Sequence, residues 1–192
     1  MALAPLATVA DLEVRGVTVS PDEEAAVNAF LATASSLIRD AAGSPISETT
    51  STVVLEGGPG SRLRLPGPPV RSVSAVLVDG QVVTGWKLAS GALVGAAGWQ
   101  PGPGPSEVTV TYTHGLPEVP DDIVDMTCRL AGQALAALRS GDATARAIES
   151  ERIGDYQAKY ADTETGTMAL SDFQRSRLAA RFGGGIGVVR AL

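Results

Sequence analysis

The hydrophobic period of this sequence changes twice along the chain, and that change limits the folds open to it. Helical spacing of apolar residues predicts a helix over residues 21–42, through Val27, Phe30, Leu31, Ala34, Leu37, Ile38 and Ala41. Residues 49–114 carry strand-like alternation, and helical spacing returns over residues 120–140. We therefore predict an α+β fold in which long helices flank a central antiparallel β-meander of about five strands.

The helix boundaries carry their own signals. Thr8 is a candidate N-cap for a short helix over residues 9–14. Ser20 and Pro21 are typical of a helix start, so we expect the first long helix to begin at Pro21. Gly43 is typical of the position just after a helix and predicts its end.

Within the β segment, strand character differs from one stretch to the next. Residues 70–78 have apolar residues at both odd and even positions, which predicts a central strand buried on both faces. Asp79-Gly80 predicts a tight hairpin turn. Val108, Val110 and Tyr112 alternate with threonines, which predicts a strand with one solvent-facing side.

The C-terminal part has a different character from the rest. Residues 142–169 are polar and weakly patterned, which favours an extended arm, and a third helix is predicted over residues 170–182. A glycine run follows it, and the chain ends in an apolar tail. We expect two regions: a body over residues 1–141, and an arm, helix and tail over residues 142–192.

Charge and composition exclude several classes of protein. The chain has 15 basic and 21 acidic residues, a net charge of −6, which argues against broad nucleic-acid binding. No apolar run approaches the ~18 residues of a membrane-spanning helix, and the N-terminus lacks the features of a signal peptide. Cys128 is the only cysteine and His114 the only histidine. An intrachain disulfide, a cysteine cage and a multi-histidine zinc site are therefore excluded, and no metal or cofactor is expected.

The residues that could take part in catalysis all have simpler structural explanations. His114 follows a strand and could act as a general base, but a histidine with local hydrogen bonds is favoured. Cys128 lies on an apolar helix face and is interpreted as a core thiol. Asp121 and Asp122 with Asp125 suit the positive end of a helix dipole. We therefore expect no enzyme activity.

Two tryptophans lie in or beside the β segment. Trp86 falls in a predicted strand, and core packing is favoured for it. Trp99 lies in a loop rich in proline and glycine. Either it plugs the end of the sheet or it contacts a partner, and the residues leave both possibilities open.

The C-terminal region is the most informative part of the charge pattern. Residues 170–192 contain four arginines and one aspartate, a net charge of +3, which leaves −9 for the rest of the chain. A basic helix with an apolar tail on an acidic body favours docking on another surface. The alternative is that the helix packs on its own domain and the tail adds a strand to its own sheet.

Four stretches, in order along the chain, carry a resemblance to a known family. They are ATVADLEVRG with the helix SPDEEAAVNAFLATASSLIRDAAG, PPVRSVSAVLVDGQVVTGWKL, VTVTYTHGLPEVPDDIVDMTCRLAGQAL, and ESERIGDYQAKYADTETGTMALSDFQRSRLAARF. Together they cover most of the chain. They resemble the head-to-tail adaptor (head–tail connector) proteins of long-tailed phages, especially those of actinobacterial phages.

The resemblance implies a structural role in the virion. It implies a homo-oligomeric ring, a dodecamer, on the portal vertex at the head–tail interface, assembled in the bacterial host cytoplasm. The expected partners are the portal protein and a stopper or tail-completion protein, with DNA passing through the channel without specific binding and with no membrane involved. The residues implied at the portal or between subunits are Ile153, Tyr156, Tyr160, Leu170, Phe173, Arg175, Arg177, Leu178, Arg181, Phe182, Ile186, Val188, Val189 and Leu192.

Two other functions stay open at this point. A tail terminator or head-completion protein would also be a structural part of a phage but would bind a different partner. A monomeric β-rich recognition module would use Trp86 and Trp99 as a platform for a peptide or sugar.

Overall fold

The computed structural model of the chain describes residues 3–140 and 168–183, together with the backbone of two short strands between them. The helices are α1 (Val9–Val14), α2 (Glu24–Ala42), α3 (Asp121–Arg139) and α4 (Asp172–Phe182). The strands are β1 (Thr49–Gly57), β2 (Arg62–Arg64), β3 (Val70–Val78), β4 (Gln81–Val82), β5 (Trp86–Ala89), β6 (Ala92–Gly95), β7 (Ser106–His114), β8 (Glu151–Ile153) and β9 (Tyr156–Ala158). The predicted α+β class is confirmed.

Contacts along the chain group these elements into two units. One, the β unit, holds residues 39–119 and the part of α4 from Phe173. The other, the helical unit, holds α1, most of α2 and α3. The predicted division at residue 141 stays a prediction.

The helical unit is built from three amphipathic helices around one core. α1 begins at the predicted cap, where Thr8 Oγ1 accepts from the Asp11 amide at 3.2 Å and Asp11 Oδ2 accepts from the Thr8 amide at 2.7 Å. One face of each helix and the segment just before α1 supply the core, which consists of Ala7, Leu12, Val27, Leu31, Cys128, Ala131 and Leu135. No helix in the described ranges is long and apolar enough to cross a membrane.

The start of α2 differs from the prediction, because residues 21–23 form a turn and the helix begins at Glu24. The Ser20 hydroxyl and amide both donate to Glu23 Oε2, at 2.6 and 3.0 Å. Ser20 Oγ is thus engaged with a carboxylate instead of capping the helix, and the Glu23 amide donates to the Ser20 carbonyl. The carboxylate competes successfully for the serine because a charged acceptor makes the stronger hydrogen bond.

The β unit contains two antiparallel sheets, and their strand order corrects the predicted meander. The larger sheet has the order β1-β7-β3-β4, and the smaller has the order β2-β6-β5. β7, the last of these strands in sequence, lies between β1 and β3. Its inward side chains Val108, Val110 and Tyr112 are almost fully buried. The strand predicted to have one solvent-facing side is therefore one of the two interior strands of this sheet.

The prediction that residues 70–78 are buried on both faces is wrong. β3 has exposed positions, and its pairing with β7 shifts register between Val70 and Ser72 and again between Val73 and Ala75. Each shift switches the inward-facing positions between odd-numbered and even-numbered residues. Val73, Val76 and Val78 thus all pack on one core although their spacing is irregular.

The predicted hairpin at Asp79-Gly80 is confirmed. Both residues have positive φ, 48° and 78°, as the favoured two-residue turn requires. The returning chain forms only the two-residue β4, and Gly85, with φ of 86°, precedes β5 in the second sheet. The chain that returns from the hairpin is therefore divided between two sheets, with β4 in the larger and β5 in the smaller.

Candidate functional site

α4 carries most of the predicted interface residues that the structure describes, and it divides them by exposure. Leu178 and Phe182 on the helix, and Leu170 before it, are buried within the chain itself. The side chains Phe173, Arg175, Arg177 and Arg181 are exposed, and Phe173 is 70% accessible. The exposed part of the predicted set is therefore aromatic and basic.

Two arginines of α4 lie over aromatic rings. The Arg177 guanidinium carbon is 5.8 Å from the centre of the Phe173 ring, and that of Arg181 is 4.9 Å from the Phe182 ring. Cation–π contacts of this kind hold guanidinium groups against the helix surface. We call the exposed residues Phe173, Arg175 and Arg177 the α4 patch.

The remaining predicted interface residues fall in the arm and the tail. Ile153 and Tyr156 lie opposite each other in the antiparallel β8–β9 pair, and only their backbone is described. Tyr160, Ile186, Val188, Val189 and Leu192 lie outside the described residues.

His114 is held by hydrogen bonds and packing, but the local hydrogen bonds that its favoured interpretation predicted are wrong, because its partners are 47 and 63 residues away in sequence. Its ring is 6% exposed at the end of β7, with Nδ1 2.6 Å from the Gly67 carbonyl and Nε2 2.9 Å from Ser51 Oγ. A carbonyl only accepts, so Nδ1 carries the hydrogen and the Ser51 hydroxyl donates to Nε2 in the neutral ring. The centres of the Tyr112 and His114 rings are 4.6 Å apart. The histidine thus joins β1 and the Gly67 loop to the end of β7.

The close approach of Gly67 explains a glycine in this loop. The residue has φ of 64°, and a Cβ built there would lie 2.8 Å from His114 Nδ1. A larger residue would displace the carbonyl from the ring. The contact between His114 and Ser51 therefore belongs to a structural cluster, in which both ring nitrogens already have partners.

Cys128 has the environment of a core thiol. It is 3% exposed among the apolar residues of the helical unit. Burial raises the pKa of the thiol, which disfavours the thiolate that a nucleophile requires. The predicted core role is confirmed.

The acidic residues near the helix starts have ionic partners that lie far away in sequence. Glu23 receives two hydrogen bonds from Arg139, one from Nε and one from Nη2, each at 2.7 Å, and Arg139 Nη2 also donates to the Thr18 carbonyl at 2.6 Å. Hydrogen bonds from Arg139 and then from Ser20 hold the pKa of Glu23 far below its usual range. This bidentate pair joins the end of α3 to the turn before α2.

Asp125 forms a second ionic group on α3. Its carboxylate pairs with Arg15 at 3.3 Å and with Arg129 at 2.8 Å. The sequence interpretation gave Asp125 to the helix dipole and found neither pairing with Arg15 nor the Glu23–Arg139 link. Only the Asp125–Arg129 spacing of four residues carries a local signal, since the other partners are about a hundred residues apart.

The structure decides the open question about Trp99. This side chain is 2% exposed within the core of the β unit, and its Nε1 donates to the Ser61 carbonyl at 3.0 Å. It therefore plugs the sheet. Trp86 is half-buried against the same core, and its Nε1 donates to the Val83 carbonyl at 3.0 Å. A recognition platform built on both indole rings is incompatible with the burial of Trp99.

The described ranges contain no group of three or more acidic, histidine or cysteine side chains arranged to hold a metal ion. Among the ionisable residues of these ranges, Glu23, Asp125 and His114 are engaged by the partners described above.

Comparison with known proteins identifies the fold. No known protein-family profile matches the chain. No curated protein matches it either. Among solved structures, one similar chain comes from the "Virion of native gene transfer agent (GTA) particle".

The likeness to that chain spans nearly all of both proteins. It covers 99% of this chain and 94% of the other, with a TM-score of 0.57 and 19% sequence identity. At this identity the comparison establishes a shared fold, and it does so across the whole chain instead of one common motif.

Proposed function

We propose that this protein is a structural component of a phage-like virion and acts as a head-to-tail connector adaptor. In this role it assembles as a ring on the portal vertex, links the capsid to the stopper or tail, and forms part of the DNA channel. It has no enzymatic role in this proposal. Its place is the head–tail interface of a long-tailed phage, and actinobacterial phages are the proposed source.

The fold likeness to a chain of a gene transfer agent virion is the observation that carries this proposal. It extends over 99% of the chain, so the helices and the β unit both belong to the shared fold. The order of the four sequence stretches that resemble adaptors supports the more specific role. The structural engagement of His114 and Cys128 is consistent with a protein that works through its surfaces.

The charge distribution supports a position around DNA. With a net charge of −6 the protein repels the phosphate backbone, and a channel wall of this sign would let the genome slide without binding. The basic α4 patch is the exception. It suits contact with an acidic partner surface, and an aromatic side chain beside arginines is typical of interface anchors.

Binding partners distinguish the adaptor from the tail terminator. The full-length protein would be immobilised and offered the portal protein and the tail-tube protein of the same genome in separate binding measurements. We expect it to bind the portal and not the tail tube. Binding to the tail tube alone would replace the proposal with a terminator, and binding to neither would refute both.

A further inference from the structure

β1 is an edge strand with few of the features that usually protect one, and its single charged residue is Glu56. It pairs with β7 over all nine of its residues in a continuous register, and no strand in the described ranges pairs with its other side. The sequence of β1 is TTSTVVLEG, which contains no proline, no lysine and no bulge. Such an edge presents backbone donors and acceptors to any extended chain that can align with it.

The other sheet edges of the β unit are short or irregular. β3 has two register shifts, and the two-residue β4 covers only one end of it. In the smaller sheet, the edge strand β2 has three residues, and β5 has four and includes Lys87. Bulges, shortness and lysine all discourage strand addition. β1 therefore differs from every other edge of these two sheets.

The core beneath β1 is incompletely covered. Val53 and Leu55 point inward but are only partly buried, whereas Val108 and Val110 on the neighbouring strand are fully buried. On the outer face Val54 is 56% exposed. A further strand beside β1 would cover all three apolar side chains and would use the open backbone groups at the same time.

The chain itself contains a segment of matching length and composition. This segment follows the last described residue and consists of residues 184–192, GGIGVVRAL. It has nine residues, the same number as β1. Nine extended residues reach about 30 Å, the length of the β1 edge. The segment is apolar and β-branched, and its single charge, Arg190, is opposite in sign to that of Glu56 on β1.

We propose that residues 184–192 of a second copy of this chain add as a strand along the open edge of β1. The donor tail and the acceptor edge are different surfaces, so every copy can donate to one neighbour and accept from another. Contacts of this kind are heterologous and close into a ring when the rotation permits. The inference rests on the proposed ring and names the contact that joins its subunits.

Cysteine pairing between copies tests the contact directly. In the full-length chain with Cys128→Ala, one variant would carry Val54→Cys and a second would carry Val188→Cys or Val189→Cys, since these two positions face opposite sides of a strand. Mixed at high concentration under mild oxidation, the two proteins are expected to form a disulfide-linked dimer with one of the tail positions. Val82→Cys, at the far edge of the same sheet, is the matched control: Val82 is 76% exposed against 56% for Val54, so it is no less accessible, and it is expected to give no disulfide.

Two results would overturn the inference. The first is a disulfide that forms only within a single chain carrying both cysteines, because the tail would then occupy its own sheet. The second is the absence of any disulfide with Val54→Cys in either arrangement. If the protein still forms a ring on the portal in these cases, only the inferred contact fails. If it also fails to bind the portal, the proposed function fails with it.

A charge placed on the edge provides a second measurement. In the presence of the portal protein, Val54→Lys is expected to shift the assembled protein towards monomer in sedimentation velocity, because an edge lysine opposes strand addition. The same change at Val82 and the wild-type chain are the controls. Equal assembly by Val54→Lys and Val82→Lys would contradict the inference.

Discussion

At the scale of single residues, His114 shows how a side chain with catalytic potential becomes part of the framework. Both ring nitrogens are used, one by a loop carbonyl and one by a strand hydroxyl, and the ring packs beside Tyr112. The sequence placed His114 correctly at a strand end but favoured local hydrogen bonds, which the structure does not show for its ring nitrogens. Its actual partners could not be predicted, because they lie 47 and 63 residues away and come together only in the folded sheet.

Replacing this histidine should affect stability and leave assembly unchanged. His114→Ala leaves the Gly67 carbonyl and the Ser51 hydroxyl without their partner, and we expect a loss of about 1–3 kcal/mol in the free energy of unfolding. Ser51→Ala, the control, removes one of the two bonds and should cost about 1 kcal/mol. Chemical denaturation and portal binding would be measured on both variants. Loss of portal binding without a loss of stability would contradict the structural role.

The Glu23–Arg139 pair makes stability depend on pH in a defined direction. The pKa of Glu23 is lowered in the folded chain, so its ionised form is favoured by folding. The resulting stabilisation is complete above the ordinary pKa of a glutamate, about 4.3, and is lost as the pH falls from there towards the lower folded value. Glu23→Gln removes this contribution at neutral pH.

Thermal unfolding from neutral pH to about pH 3 tests this dependence. The wild type should exceed Glu23→Gln in stability at neutral pH, and the difference should shrink below about pH 4. Glu24→Gln changes the neighbouring, exposed carboxylate and should follow the wild type. If the difference in unfolding temperature between wild type and Glu23→Gln is constant over the whole pH range, protonation of Glu23 does not change the stability of the fold.

At the scale of elements, the helices were more predictable than the strands. Their hydrophobic stripes and caps are local signals, so α1 and α3 fall within a residue or two of the predicted bounds. The strand order was not predictable, because β7 inserts between β1 and β3 through contacts distant in sequence. The prediction for β3 was wrong because each bulge switches the inward-facing positions between odd and even residues. The apolar residues of β3 therefore fall at both odd and even positions, which is also the pattern of a strand buried on both faces.

The turn between β3 and β4 offers a test of an element that was predicted correctly. Gly80 has φ of 78°, a conformation that costs about 1–2 kcal/mol for a residue with a Cβ. Gly80→Ala should lower the free energy of unfolding by that amount. Gly102→Ala, in an exposed loop where a Cβ would meet no neighbour, should have little effect. Equal effects of the two changes, measured by chemical denaturation, would count against the turn.

The α4 patch can be tested without disturbing the helix. Deleting residues 170–192 would also remove the buried Leu178 and Phe182, so a charge reversal on the exposed face is the sharper change. Arg177→Glu should weaken binding to the portal by about tenfold or more, since it replaces a favourable charge contact by a repulsive one. The unfolding temperature should change only slightly, because Arg177 is exposed and its contact with the Phe173 ring contributes no more than about 1 kcal/mol.

Arg64→Glu is the matched control for this change. It makes the same charge reversal at an exposed position of β2, and it should bind the portal as the wild type does. Equal losses of binding in the two variants would indicate a general charge effect and would remove the α4 patch from the docking surface.

At the scale of the whole molecule, the sequence indicated the fold class through the order of its parts. The acidic body, the basic helix and the apolar tail are all visible in the composition. The grouping of residues 39–119 with α4 was not predictable, because it depends on packing between segments far apart in the chain. The likeness to a virion chain was found through three-dimensional structure at 19% identity, where sequence comparison alone gives no family match.

Cryo-electron microscopy of the full-length protein mixed with the portal protein of the same genome tests the central claim most directly. The account predicts a ring added to the tail-facing side of the portal, with the α4 patch directed at the portal. The protein without the portal is the control, and either a monomer or a ring in that sample is compatible with the proposal. A folded protein that adds no density to the portal would contradict the adaptor function.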